Sequence, residues 1–391
     1  MSAAPIRELP ERAEVVVIGG GVIGTSIAYH LASAGVPDVV LLERDELAAG
    51  STSRAAGGVR ATFSNPANIA LGLRGLEIYS RFEELYGQPI DFRRDGYLYL
   101  LSDADDVGVF TESVAVQNSC GVPSRMVDPA EAQRLSPLIA TDGLLAASWS
   151  PADGKATPES VVQGYASAAR RHGARIIRHC EVTDIASSGG TITEVRTPDG
   201  AIRTSRVVCA AGAWSAAIGD MVGVPIPVQP VRRQIAFTEP IPDLPPVSPS
   251  LTIDFPSTFY FHPEGGGLLF GWSDPDEPVG FNRRFDLEGW LAGVAPIAGV
   301  RVPILLEQGI RTGWAGLYEV TPDANQIIDR STVVDGLFIA TGYSGHGFLM
   351  GPATGEIVRD LVLDRTPTYD IEDFRLGRFD RVVAAGEVNI V

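Results

Sequence analysis

The chain has 391 residues, enough for two or three domains that each bury a core of their own. With 45% apolar and 20% charged residues it reads as a globular protein, and a formal charge of −17 argues against nucleic acid as a partner, since phosphate binding takes a basic surface. Its three cysteines, Cys120, Cys180 and Cys209, show no C-x-x-C spacing, which points away from a disulfide framework or zinc site and fits a reducing compartment.

Taken from the N-terminus, residues 1–13 carry Arg7, Glu8, Glu11 and Arg12 without an apolar run of signal-peptide length. No stretch reaches the ~18 uninterrupted apolar residues of a membrane span, so the expectation is a soluble, cytoplasmic chain. Residues 14–43 then read as strand, tight turn, helix, strand. Val15 to Ile18 suit a strand buried on both faces, and Gly19, Gly21 and Gly24 supply the G-x-G-x-x-G spacing. The first glycine permits the turn, the second admits a diphosphate to the backbone, and the third lets the helix lie against the strand. A phosphate is favoured at the helix N-terminus by free N–H groups and the dipole. Glu43, 19 residues after Gly24, closes the second strand, where a carboxylate accepts hydrogen bonds from a ribose and repels a 2′-phosphate. The pattern predicts a dinucleotide site and by itself leaves FAD and NAD both open.

The following stretch, Arg44 to Arg60, is small and hydroxylic, which suits a loop whose donors face a second phosphate or a ring system; an NAD domain would start another βα unit here. Residues 65–86 have helical apolar spacing (Ile69, Leu73, Leu76, Tyr79, Leu85) ended by Gly87. From Asp91 the texture turns to short strands, residues 96–101 being the clearest, with a helical stretch over 112–118. A helix is predicted over 158–172 with Thr157 as N-cap and Pro158 at N1. Residues 206–215 form an apolar strand ending in Ala-Gly with Trp214 and Ser215 at the head of a helix. Residues 225–256 hold nine prolines in edge-strand spacing, and 259–262 and 267–272 read as antiparallel strands. A last strand at 336–341 leads through Gly342-Tyr-Ser-Gly-His-Gly-Phe348 into a helix ending near Leu363.

Three of these stretches, Val15 to Arg60, Val207 to Ser215 and Trp314 to Glu356, together resemble the amine-oxidising flavoproteins related to D-amino-acid oxidase, such as glycine oxidase, sarcosine oxidase and the FAD subunit of dye-linked proline dehydrogenase. The resemblance implies an α/β fold: a discontinuous Rossmann-like FAD domain (residues 1–90, 146–224 and 311–391) interleaved with a substrate domain built on an antiparallel or mixed sheet with helices (91–145 and 225–310). It implies FAD held by Gly19, Gly21, Val22, Ile23, Gly24, Glu43 and Arg44, by Ser51, Thr52, Ser53, Arg54, Gly57 and Gly58, and by Val182, Ala211, Gly212 and Trp214. The last set is Gly342, Tyr343, Gly345, His346, Gly347, Phe348 and Leu349, where a helix N-terminus aimed at the flavin N1–C2=O edge stabilises the anionic reduced ring.

In relatives with a covalent flavin, the bond is carried by a histidine or a cysteine at the positions matching Arg54 and Gly316, so the FAD here is expected to be noncovalent. Lysines that activate dioxygen or hold the substrate carboxylate in monomeric sarcosine oxidases match Leu269 and Leu349, which opens the option of a dehydrogenase using another electron acceptor. Lys155 is the only lysine in the chain. Arg60 matches a substrate-facing position and has the shape to clamp a carboxylate, against the alternative of a structural arginine. Tyr318 matches a pocket tyrosine, His346 is a candidate contact to the flavin, and Tyr260, His262 and Trp272 are candidates for the roof or plain sheet-face aromatics. The expected reaction moves a hydride equivalent from the C–H beside the nitrogen of a small amine or amino acid to flavin N5, giving an imine. The rivals are a 2-hydroxy acid oxidase on the same scaffold and a flavin-carrying subunit of a dye-linked dehydrogenase. Expected partners are the amine, dioxygen or another acceptor, and further copies or subunits.

Overall fold

The computed structural model describes residues 8–245, 249, 251–380, 386, 387 and 389; Arg7, Pro246 and the outermost ends of the first and last domain segments lie outside them. Strand β1 (Val15–Ile18) is at most 6% exposed, and helix α1 (Val22–Ser33) and strand β2 (Val39–Leu42) follow as the glycine spacing predicts. β1 is flanked in parallel by β2 and by Val207–Cys209, and the six-stranded sheet is completed by Arg175–Ile177 beyond β2 and by Leu337–Thr341 and the antiparallel Ile327–Arg330 on the other edge. Such strands are apolar on both faces because helices cover one side, while a three-stranded meander (Asp184–Ser188, Thr191–Thr197, Gly200–Arg203) packs into the core of the other. α1 lies between the helix Pro158–Arg171 and the C-terminal helix Gly347–Val362. Val161, Val162, Tyr165, Ala168 and Ala169 form the buried stripe of Pro158–Arg171, each large side chain contributing about 1.5–3 kcal/mol on burial.

The second sheet has eight strands in the order Ile310–Val320, Gln229–Thr238, Gly267–Trp272, Phe259–Glu264, Leu251–Asp254, Tyr97–Leu101, Ala146–Ser150 and Arg125–Val127. Only Leu251–Asp254 and Tyr97–Leu101 pair in parallel. This membership corrects two expected boundaries. Residues 146–150 pair with Tyr97–Leu101, and 310–320 with Gln229–Thr238, so both belong to the second sheet rather than the dinucleotide half. Helix Leu287–Arg301 covers this sheet, and its Arg301 donates from Nε to Asp254 at 2.8 Å, with both side chains under 10% exposed.

Two helix expectations change. The helix over 65–86 divides at Arg81 into Pro66–Ser80 and Phe82–Tyr86, because Phe82 and Tyr86 turn inward onto Tyr165, with ring centroids 5.1 and 4.8 Å away. Leu85 is left 40% exposed instead of joining the apolar face. The stretch over 112–118 is longer, Ala104–Ser119, capped by Asp103 through the N–H of Asp105.

Candidate active site

A cavity of about 330 Å³ opens between the two sheets. Its floor is the first turn. Gly19 has φ +115, and a Cβ on Gly24 would overlap the Gly19 carbonyl oxygen, so both positions require glycine for the strand and helix to meet. Glu43 accepts from the N–H of Gly20 at 2.6 Å and of Asp45 at 2.7 Å, knitting the turn to the end of β2 while lining the cavity. Val22 donates to the Thr52 hydroxyl at 3.2 Å, and Gly21 caps α1 without a side-chain bond. Gly19, Gly21, Val22, Ile23, Glu43 and Arg44 all stand on the wall, whereas Gly24 lies behind it as a packing residue.

The loop after β2 is fastened to the second sheet. The Ser51 hydroxyl donates to the Leu317 carbonyl at 2.6 Å, and Trp314 Nε1 donates to the Arg54 carbonyl at 3.3 Å. Ser51, Thr52, Arg54, Gly57 and Gly58 line the cavity, and Ser53 does not. Gly316 faces Arg54 so closely that an added Cβ would stand 2.9 Å from the Arg54 Cβ. Val182, Ala211, Gly212 and Trp214 form another stretch of wall, with the Arg44 guanidinium 3.9 Å above the Trp214 ring. Gly345, His346, Gly347, Phe348 and Leu349 bring the start of the C-terminal helix to the same space, and that helix also lacks a side-chain cap. Gly342 and Tyr343 sit behind this loop: Gly342 packs on the Thr321 methyl, and Tyr343 is fully buried with its hydroxyl 3.0 Å from Thr354 Oγ1.

The opposite wall is made of strand side chains: Tyr97, Tyr99, Arg233, Ile235, Leu251, Ile253, Tyr260 and Tyr318. Among the expected roof residues Tyr260 is there, but His262 and Trp272 are not on the wall. Lys155 is also remote from it, held by Glu264 at 2.8 Å, the Pro263 carbonyl at 3.0 Å and His262 Nδ1 at 3.1 Å. Leu349 stands on the wall and Leu269 does not.

Arg60 reaches the wall, yet its guanidinium does not stand ready as a clamp. It donates to the carbonyls of Thr62 (2.6 Å) and Asn389 (2.7 Å) and meets His346 Nε2 at 3.0 Å, over the Phe63 ring. Because a guanidinium only donates, His346 Nε2 must be the acceptor, which puts the imidazole proton on Nδ1. Burial first, and then Arg60, hold the His346 pKa well below its ordinary value, so the ring is neutral. The loop is set from behind by Asp153, fully buried, which accepts from Ala61 N–H at 2.9 Å and Thr62 Oγ1 at 3.0 Å and whose pKa burial raises to about 6.

Tyr97, Tyr99, Ile235, Leu251 and Ile253 were not singled out in the sequence, and neither were two charged wall residues, Arg233 and Glu319. Arg233 lies with its guanidinium 5.3 Å from the Tyr318 ring; its Nε is buried without a hydrogen-bond partner, and one terminal nitrogen donates to the Arg232 carbonyl at 3.0 Å. Three other enclosed arginines have an acid, Arg232 with Glu277, Arg301 with Asp254 and Arg378 with Asp323, while Arg60 has none and spends its donors on carbonyls and His346. No carboxylate among the described residues pairs with Arg233. Glu319, the next residue after Tyr318, accepts from the Thr341 hydroxyl at 3.0 Å and from the N–H groups of Gly342 and Tyr343, and burial pushes its carboxyl up to about 7. An acid within the apolar run Trp314 to Val320 was the only signal available for it.

The arrangement fits a flavin dinucleotide. Two uncapped helix N-termini open on one elongated set of walls, one suited to a diphosphate and the other to an electron-rich ring edge. Comparison with known proteins agrees. Mouse dimethylglycine dehydrogenase is 30% identical over 97% of this chain and 46% of its own length, and Xenopus laevis FAD-dependent oxidoreductase domain-containing protein 1 is 32% identical over 98% and 85%. The crystal structure of L-proline dehydrogenase from P. horikoshii superposes with a TM-score of 0.89 at 35% identity, covering 95% of this chain and 99% of that one. The chain spans about half the length, 46%, of the dimethylglycine dehydrogenase it matches. Residues 14–361 match the family described as DAO, FAD dependent oxidoreductase, and the chain belongs to that family.

Proposed function

We propose that this chain oxidises the C–H bond beside the nitrogen of a small amine that also carries a carboxylate, a secondary or N-methylated amino acid in the first instance, with FAD held noncovalently by the glycine-rich wall. The observation that carries this reading is Arg233, a cation on the cavity wall with no acid of its own and, unlike Arg60 there, with a buried Nε that has no hydrogen-bond partner. A substrate carboxylate supplies the missing partner through parallel N–H···O bonds. Bound FAD supplies the acceptor for the hydride equivalent.

The remaining work falls to side chains. Tyr260, Tyr318, Leu251 and Ile253 displace water from the amine, which favours its neutral form, and the nearby positive charges of Arg60 and Arg233 push in the same direction. Neutral His346 orients Arg60 rather than moving protons. Arg54 and Gly316 offer no nucleophile for a flavin bond, which supports noncovalent attachment. With Lys155 engaged elsewhere and leucines at 269 and 349, the wall holds no ammonium, which favours an electron acceptor other than dioxygen. Two of the three proteins named above are called dehydrogenases of dimethylglycine and L-proline, both carboxylated amines. A cytoplasmic location is supported by three free thiols, and no helix among the described residues is long and apolar enough to cross a membrane.

Anaerobic titration of the holoprotein tests the reading. N-methyl amino acids and proline are expected to bleach the flavin, and lactate and uncharged amines to leave it yellow. Bleaching by 2-hydroxy acids alone would establish the rival reaction instead.

A further inference from the structure

The connection between Trp272 and helix Leu287–Arg301 belongs to the second sheet but does not lie on it for its whole length. Its base is fixed to strand Gln229–Thr238 at several points. Arg232 forms a two-pronged pair with Glu277 at 2.9 and 2.8 Å and donates to the Arg284 carbonyl at 2.9 Å. Gly280 N–H donates to the Pro230 carbonyl at 2.8 Å, and Asp286 N–H to Gln234 Oε1 at 2.7 Å. Its tip, held in place by these anchors, reaches over to the dinucleotide half. There Phe281 stacks on Trp214 with ring centroids 5.5 Å apart at 21°, and the Arg283 guanidinium lies 5.6 Å from the same ring.

Phe281 remains 54% exposed, so its stacking on Trp214 takes place at the surface. Trp214 and Arg44 are shared by the main cavity and by a shallow recess beside it that Phe281 and Arg283 complete, so the tip stands at the cavity mouth. The recess carries two cations, Arg44 and Arg283, and two acids, Asp45 and Glu181; Asp45 is paired with Arg44 at 3.4 Å, and no carboxylate among the described residues pairs with Arg283. Arg54 senses the crowding, since after burial the nearby Arg283 is the next cause lowering its proton affinity.

We propose that this strap is part of the cofactor site: Phe281 clasps Trp214 across the mouth, and Arg283 supplies a guanidinium to the ADP half of the dinucleotide, beside the Glu43 end of β2, so that the second sheet controls FAD retention. The proposal rests on FAD binding by the family and not on the identity of the amine. A substrate-free experiment therefore separates the two.

Apoprotein is titrated with FAD, and with riboflavin, which lacks phosphate, while flavin fluorescence reports affinity and release. Arg283→Gln is expected to weaken FAD about tenfold, the size of one charge-assisted contact, and to leave riboflavin unchanged. It should also flatten the dependence of FAD affinity on salt, which Arg283→Lys retains. Phe281→Ala is expected to speed FAD release about tenfold, and the neighbouring Arg284→Gln to change neither quantity. An Arg283→Gln protein with wild-type thermal stability and an FAD affinity within about twofold of wild type overturns the assignment. So does an equal loss for FAD and riboflavin. Should Arg283→Gln fold poorly, loss of the salt dependence in Arg283→Lys overturns the assignment in its place.

Discussion

The two sheets meet one cavity with different parts of the chain. The six-stranded sheet presents turns: main-chain N–H groups, helix ends and glycines that leave room for a ligand. The eight-stranded sheet presents side chains, with Tyr97, Tyr99, Arg233, Ile235, Leu251, Ile253, Tyr260 and Tyr318 projecting from strands. A wall of main chain recognises what never changes, a diphosphate and a ring edge, and tolerates little substitution. A wall of side chains on rigid strands can be rewritten one residue at a time without disturbing the backbone, which is where specificity for one amine over another is placed.

Breaking each wall in turn tests that division. The largest effect is expected from Arg301→Ala, which leaves the Asp254 carboxylate buried without its cation. Loss of such a partner costs about 3–5 kcal/mol, read as a lower urea midpoint. Strand Leu251–Asp254 carries two wall residues, so substrate affinity should fall with it while FAD uptake persists; simultaneous loss of FAD would show that the walls are not separable. Gly24→Ala is the reciprocal case. The added methyl overlaps the Gly19 carbonyl and pushes α1 off β1 at a cost of about 1–3 kcal/mol, with FAD uptake lost before the fold is. Retention of the yellow colour after gel filtration would argue against the turn as the diphosphate seat.

The same contrast explains what the sequence made legible. Gly19, Gly21, Gly24 and Glu43 work through backbone geometry at fixed spacing, and spacing survives in a one-dimensional string. The loop Gly342 to Phe348 was marked by its resemblance to a family motif, although Gly342 and Tyr343 support it from behind instead of facing the cavity. Arg233 was missed because its meaning depends on which acids are absent around it in space, and Arg232 beside it, paired with Glu277, is identical in type. Arg60 was visible by its place in a motif, but its commitment to His346 and to the Asn389 carbonyl joins residues far apart in the chain. The boundaries at 146 and 311 failed for a related reason, since Ala146–Ser150 and Ile310–Val320 are ordinary strands whose sheet is decided by their partners.

Arg233→Leu sharpens the side-chain half of the comparison. Removing a charge-assisted clamp of about 2–3 kcal/mol should raise the apparent Kd of a carboxylated amine roughly 30-fold to 150-fold, measured by anaerobic flavin bleaching. Arg60→Lys should instead disturb the His346 contact and the loop, with losses that do not depend on whether the amine carries a carboxylate. Equal behaviour of the two variants across charged and neutral amines would remove the distinction drawn between these arginines.

The smallest effect is expected at Glu319, where the walls touch. Its carboxyl titrates near 7 in the folded protein against 4.5 for the free group, because burial penalises the anion more than the Thr341, Gly342 and Tyr343 donors repay. The folded state therefore holds this proton more tightly than the unfolded chain. Its contribution to apoprotein stability is largest below about pH 4.5, declines as the pH rises toward 7 and is constant above that. Glu319→Gln keeps the shape and removes the titration, so the difference between wild type and variant should change by about 1 kcal/mol over that window, the opening of the cavity to water moderating the full value. Asp153 falls off in the same direction as its pKa near 6 is passed, while His30 and His262, both lowered to about 4 chiefly by burial, oppose it by favouring the folded state as they lose protons. These terms are common to both proteins and cancel in the difference. Urea midpoints of the two apoproteins at matched pH values are the measurement, and parallel curves would mean that Glu319 is ionised throughout, held as an anion by the loop it anchors.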